Sequence, residues 1–163
     1  AYVYSHYFLG RRATALARID LLNKLSQNFD VTVYTHADCK DILPTAIYGG
    51  KIDYYDTMPT VFQHSKLNLN ITLKTIQTGI PLRAWDILGC GGFLLTNFQQ
   101  ELCDFFIPGE DFVYYESPAD AIEKAAYFLS HDRERQEITH NAFEKIAASH
   151  TFHHRVQSMF EII

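Results

Sequence analysis

The sequence contains no Gly-x-Gly-x-x-Gly run, no Gly-x-x-x-x-Gly-Lys-Ser/Thr run and no Gly-x-Ser-x-Gly elbow. These absences exclude the common dinucleotide fingerprint, the P-loop and the α/β-hydrolase nucleophile. Cysteine is scarce: Cys39, Cys90 and Cys103 are odd in number, far apart and free of any Cys-x-x-Cys spacing. That usage predicts reduced thiols and a cytoplasmic protein, with Cys90 and Cys103 acting as small hydrophobes. No apolar run approaches the roughly 20 residues that span a bilayer, so no membrane span is expected. An excess of positive charge is also missing. A net charge of -5 and a pI near 5.9 argue against a general nucleic-acid binder, though local cations and helix ends still allow an anionic small ligand. No secretory signal is visible, and a start at Ala1 in place of methionine reads as a piece cut from a longer protein.

Eight histidines are present, but they assemble no metal set. His153 and His154 are adjacent and point to different helix faces. His150 and His154 are four apart and can share one, yet no cysteine or carboxylate completes a zinc spacing. The expectation is a metal-independent protein without a bound cofactor.

What is present describes one α/β domain over residues 1–163 with a substantial core, given 47% hydrophobic and 14% aromatic residues. Leu16, Ile19, Leu22 and Leu25, with Ala13 and Ala17 between them, predict a helix from Leu9 to Asn28. "VTVYT" predicts a strand, and "KIDYYD" a second one over Lys51 to Tyr55. The Gly-Gly pair before it is expected in a loop. Thr57 and Pro59 open a short helix. "KLNLNI" alternates like a strand, Pro81 opens a helix through Leu88, and "FLLT" and "FVYY" predict buried strands. A short helix from Gln99 to Phe106 lies between those two strands. Ser117, with Asp120 three residues on, caps a helical remainder broken near His131 and Ser149. Strands alternating with helices imply a Rossmann-like, doubly wound, mostly parallel sheet with helices on both faces and a helical tail. Such sheets bind ligands at the carboxyl ends of their strands.

The densest chemistry lies between Leu67 and Thr96. A strand ends in Asn70 and Thr72, a loop follows, and a helix begins beside Gly79 and Pro81. Helix starts carry unpaired N–H groups and partial positive charge that suit phosphate. Arg83 adds a forked cation, and Asp86 offers a pair of acceptor oxygens for vicinal hydroxyls. The plain alternative is a solvated Arg–Asp pair worth a few tenths of a kcal/mol. The run "GCGG" reads as a helix C-cap. The aromatic pairs, Tyr54 with Tyr55 among them, read first as core and sheet-face residues, with Tyr54 as a candidate base-stacking ring.

The stretches "LNLNIT", "GIPLRAWDILGCGGFLLTN", "IPGEDFVYYESPADAIEKAAYFLSHDRERQEI" and "HTFHHRVQSMF" resemble the C-terminal domain of GT-B-fold group 1 glycosyltransferases, in the branch of spore-maturation-type proteins. "FLGRRATALARIDLLNKLSQNFDVTVYT" is similar to the first helix and strand of that domain. The resemblance implies that the chain is the donor-binding half of a two-domain enzyme. The nucleotide-sugar donor would lie in the cleft against an N-terminal acceptor-binding domain, which would hold the catalytic base. It places Asp86 at the ribose-binding acidic position, where many relatives have the longer glutamate. Gly79 and Arg83 fall beside the diphosphate, Asn70 and Thr72 at the strand end facing the cleft, and Lys74 near the phosphates. Gly50, Ile52 and Tyr54 fall at the nucleobase, with Arg11 and Arg12 as further phosphate candidates. Relatives often carry a second glutamate seven residues before the ribose carboxylate; here that position is Gly79. The implied substrate is a nucleotide diphosphate sugar. The rival expectation is a non-catalytic Rossmann-like module that binds a nucleotide or a partner for regulation; its receiver-like version lacks the clustered acidic residues such domains need.

Overall fold

A computed structural model describes residues 4–76 and 78–161. A π-helical segment, Tyr4–Gly10, runs into helix α1, Arg11–Ser26. Strands β1 (Thr32–Tyr34) and β2 (Ile47–Gly50) follow and pair in parallel. Helix α2 is Met58–His64, β3 is Asn68–Asn70, α3 is Leu82–Gly89 and β4 is Leu94–Asn97. A 3-10 turn, Gln100–Asp104, leads to β5, Val113–Tyr115. Helices α4 (Pro118–Ser130), α5 (Asp132–Ser149) and α6 (Phe152–Glu161) close the chain. Strands β3, β4 and β5 form a parallel sheet in that order, and β1 with β2 forms a separate parallel pair.

Side chains alternate across a strand, and that alternation builds two cores here. Phe93 and Leu95 enter one cluster with Leu21, Leu25, Val113, Ala125 and Phe128, which draws α1 and α4 onto one face of the sheet. Leu94 enters the other with Ala84, Ile87, Leu88, Leu102, Phe106 and Phe112, which draws α3 onto the opposite face. The result is the expected doubly wound α/β layering. Ile87 and Leu88 are almost completely buried, and each such side chain contributes about 2 kcal/mol through lost apolar surface. That burial fixes the roll of α3 and so determines which of its residues reach the cleft.

The end of α3 is set by "GCGG". Gly91, with φ of 71°, takes the left-handed position, and the N–H groups of Gly91 and Gly92 return to the carbonyls of Leu88 and Ile87 at 3.1 and 2.8 Å. This double closure satisfies the Ile87 and Leu88 carbonyls at the end of the helix. A Cβ on Gly92 would stand 2.8 Å from the Phe62 carbonyl oxygen, so glycine lets α2 and β4 approach. The glycines are structural and lie before β4, at the end of the sheet away from the cleft.

At α4, the Ser117 hydroxyl accepts the Asp120 N–H at 3.1 Å, while Asp120 accepts the Glu116 N–H at 2.9 Å. The cap forms as the sequence pattern predicts, with its reciprocal bond made one residue earlier.

One strand falls elsewhere than expected. The second strand is Ile47–Gly50, and residues 51–53 carry no ladder. Two causes are visible. The Asp53 carboxylate accepts the N–H groups of Tyr55 and Asp56, both at 2.8 Å, and this local turn competes with strand pairing. Gly49 packs under Tyr34, where a Cβ would meet the ring at 2.6 Å, so the Gly-Gly pair belongs inside the strand. The run "KLNLNI" forms the expected strand, β3. Asn68 and Asn70 are the buried residues of β3, with Leu69 half-buried, because the sheet is covered on both faces.

On α6, Phe152, Val156, Met159 and Phe160 are exposed, at spacings that place them on one helix face. No described helix is long and apolar enough to cross a membrane.

Candidate functional site

The carboxyl ends of the strands, with the loops that leave them, gather the polar groups. At the end of β3, the Asn70 amide donates to the hydroxyls of Thr72 and Thr96 at 3.1 and 3.0 Å. The Thr72 N–H is accepted by Asn97 at the end of β4, at 2.7 Å. Asn70, Thr72 and Thr96 are all buried, so this network ties the ends of two neighbouring strands together. Helix α1 adds two tethers. Arg18 donates to the Ile71 carbonyl at 2.9 Å, and Thr14 accepts the Lys74 N–H at 3.1 Å. The start of the loop between β3 and α3 is thereby pinned, and the Lys74 side chain stays exposed. Arg11 lies one turn before Thr14, on the same face of α1.

Further along that loop, Gly79 adopts a φ of 95°, and a Cβ there would meet nothing within 4 Å. Its N–H donates to the carboxylate of Glu101. Pro81, extended at ψ of 134°, then sets the entry to α3. Arg83 and Asp86 form an ion pair at 3.8 Å. Arg83 also lies against α2: it donates to the Met58 sulfur, and its guanidinium sits 5.5 Å from the Phe62 ring centre. The Tyr54 ring stands 5.7 Å from the same guanidinium, within cation–π range. The Tyr54 hydroxyl donates to both oxygens of Asp86, at 2.9 and 2.8 Å. This bond, with smaller contributions from burial and from the nearby carboxylate charge, pushes the Tyr54 pKa above its ordinary value.

Taken together, α3 and the loops beside it offer a carboxylate that accepts a hydroxyl donor, a guanidinium one turn away, and, on an exposed glycine, an N–H that already holds an anionic oxygen. Such a surface suits a ligand with a diol at one end and negative oxygens at the other. Among the described residues no group of three histidines, cysteines or acids is placed to hold a metal ion.

Residues 12–161 match the family described as glycosyl transferase-like. The chain belongs to that family. A solved structure with the same fold is the C-terminal domain of a glycosyl transferase group 1 family protein (LpcC) from Francisella tularensis. It is 12% identical, with a TM-score of 0.64 over 85% of this chain and 80% of that one. No curated protein matches. The family membership and the fold agree with the resemblance to the GT-B C-terminal domain, and the chain is a glycosyl-transfer domain by family.

Within this family member, the sequence-derived residues separate into groups. Tyr54, Arg83 and Asp86 stand together, although Tyr54 is 32 residues away from Asp86 in the chain. Asn70 and Thr72 lie at the expected strand end but are committed to the internal network, so they tie the strand ends together rather than present free side chains. Gly50 ends β2 with φ of 75°, and Ile52 is half-buried in the loop after it. That loop, instead of a strand, carries Tyr54 to Asp86. Arg12 is exposed at the start of α1. Sequence reasoning missed Glu101, Met58 and Phe62. An acidic residue in the first turn after a strand's carboxyl end was the available sign for Glu101.

Proposed function

We propose that this domain binds the nucleotide-sugar donor of a glycosyltransferase that moves a sugar from a nucleoside diphosphate to an acceptor hydroxyl. The observation that carries this reading is the hydroxyl held between both oxygens of Asp86, in the second turn of the helix that follows β3. A ribose diol presents the same donors to the same acceptor pair. Arg83, one turn earlier, and the N–H of Gly79 would then face the diphosphate. Lys74 adds a cation at the edge of the loop, with Arg11 and Arg12 beyond it. Tyr54, with Gly50 and Ile52 behind it, would border the base.

In the reaction, the acceptor oxygen bonds to the anomeric carbon as the bond from that carbon to the phosphate oxygen breaks. The leaving diphosphate keeps the electron pair, and the acceptor proton passes to a base. Here the domain's part is electrostatic: N–H groups and Arg83 stabilise charge that grows on the leaving group. Fixed donors and cations do this without a metal ion. The base and the acceptor pocket are assigned to an N-terminal domain of the same enzyme.

Calorimetry with UDP, GDP, ADP and their sugars tests the proposal. One nucleotide should bind with clear preference, and Asp86→Ala should weaken it about tenfold or more, the scale of losing hydrogen bonds to a charged group. If no nucleotide binds even with the N-terminal domain present, the reading is wrong and a regulatory, partner-binding module takes its place.

A further inference from the structure

The Gly79 N–H stands just before α3, at the position the donor reading gives to the diphosphate, and it is already taken. Its partner, the Glu101 carboxylate, comes from 22 residues further along the chain. Glu101 is carried on the 3-10 turn after β4, and that turn is anchored by Leu102 and Phe106, each 1% exposed. The anchors hold the turn in place while the Glu101 side chain, only half-buried, reaches across to the loop. A Cβ on Gly79 would meet nothing within 4 Å, so no other group crowds its backbone there.

We propose that Glu101 is a specificity-determining residue, an internal anion that occupies the diphosphate's place at Gly79 and yields only to a ligand with enough negative charge to displace it. This rests on the donor-site reading above. A carboxylate and a phosphate are both acceptors that want the same N–H, and side by side they repel. One must leave when the other arrives. Because the exchange swaps one anionic oxygen for another, the Gly79 N–H stays paired in both states and the loop never exposes an orphan donor. A neutral ligand gains nothing at Gly79 that Glu101 does not already supply. A diphosphate gains the N–H together with Arg83, and so pays for the displacement. Nucleosides therefore bind beside Glu101 without moving it, while nucleoside diphosphates expel it.

The test measures binding of the preferred nucleoside diphosphate and of the corresponding nucleoside to the full-length protein and to Glu101→Gln and Glu101→Ala. Removing the competing charge should tighten the diphosphate about threefold to tenfold, a surface charge–charge effect, and leave the nucleoside unchanged. The Gly79 amide NMR signal should shift in free Glu101→Gln relative to the unaltered protein, and the diphosphate should bring both to a common position. Unchanged or weaker diphosphate binding in both variants, with the nucleoside unaffected, would make Glu101 a support for the loop and overturn the proposal. Absence of any nucleotide binding, in the unaltered protein and the variants alike, would instead remove the donor-site reading and this inference with it.

Discussion

The hydroxyl of Tyr54 bridges both carboxylate oxygens of Asp86, at 2.9 and 2.8 Å, across a separation of 32 residues. Tyr54 arrives from the loop after β2, Asp86 from the second turn of α3. Their meeting turns a helix-surface carboxylate into half of a defined hydroxyl site. It also means that a ribose diol and the Tyr54 hydroxyl compete for the same two oxygens.

That bond is readable by titration. Asp86 is the first cause of the raised Tyr54 pKa, so Asp86→Ala should bring Tyr54 back toward ordinary tyrosine behaviour. Alkaline ultraviolet titration, with Tyr54→Phe identifying the signal, checks this. The sign for stability follows from the raised pKa. The contribution is complete below the unfolded value of about 10 and is lost as pH rises through the higher folded value.

Arg83 should separate the two ends of the ligand. Arg83→Gln is expected to weaken nucleoside diphosphate binding about tenfold, as a charge-assisted phosphate contact is lost, while nucleoside affinity changes little. Parallel calorimetry with both ligands decides it. Equal losses for the two would assign Arg83 to holding α2 and Tyr54 in place, through its contacts with Met58 and Phe62.

Asp111 and Lys145 predict a stability effect away from the cleft. Asp111 is 3% exposed; it accepts the Ile107 N–H at 2.7 Å and pairs with Lys145 of α5. Lys145→Met strands a buried carboxylate. Breaking a fully buried pair costs about 3–5 kcal/mol, and the partial exposure of Lys145 puts the expected loss at about 2–3 kcal/mol. Urea denaturation of the two proteins measures it.

His150 predicts acid sensitivity at the junction of α5 and α6. Its ring lies 5.2 Å from Trp85 and 5.5 Å from Phe105, and its Nδ1 accepts from Arg155 at 2.8 Å. Burial first, then the charges of Arg155, His154 and Lys145, hold its pKa below 6.5. A depressed histidine contributes stability above the unfolded pKa, and that contribution is lost as pH falls below 6.5 through the lower folded value. Thermal unfolding followed from neutral to mildly acidic pH should fall less steeply for His150→Gln than for the unaltered protein. Parallel curves would show that His150 does not drive the acid loss.

Local pattern determined much of this protein. The β-branched and aromatic runs predicted β1, β4 and β5, the Ser117 cap and the breaks near His131 and Ser149 marked the tail, and Arg83 and Asp86 shared a helix face by spacing alone. These features depend on residues within a turn or two of one another, where backbone geometry leaves few choices. Tertiary structure decided the rest. Gly49 entered β2 because Tyr34 covers it, and Asp53 turned the expected strand into a loop. Burial on both sheet faces decided that Asn68 and Asn70 are the buried residues of β3. Tyr54 on Asp86 and Glu101 on Gly79 join segments whose approach depends on how α3 packs against β4 and where the loops after β2 and β4 return. Such contacts leave no periodicity in the chain, because their partners are chosen by the folded arrangement rather than by sequence neighbours.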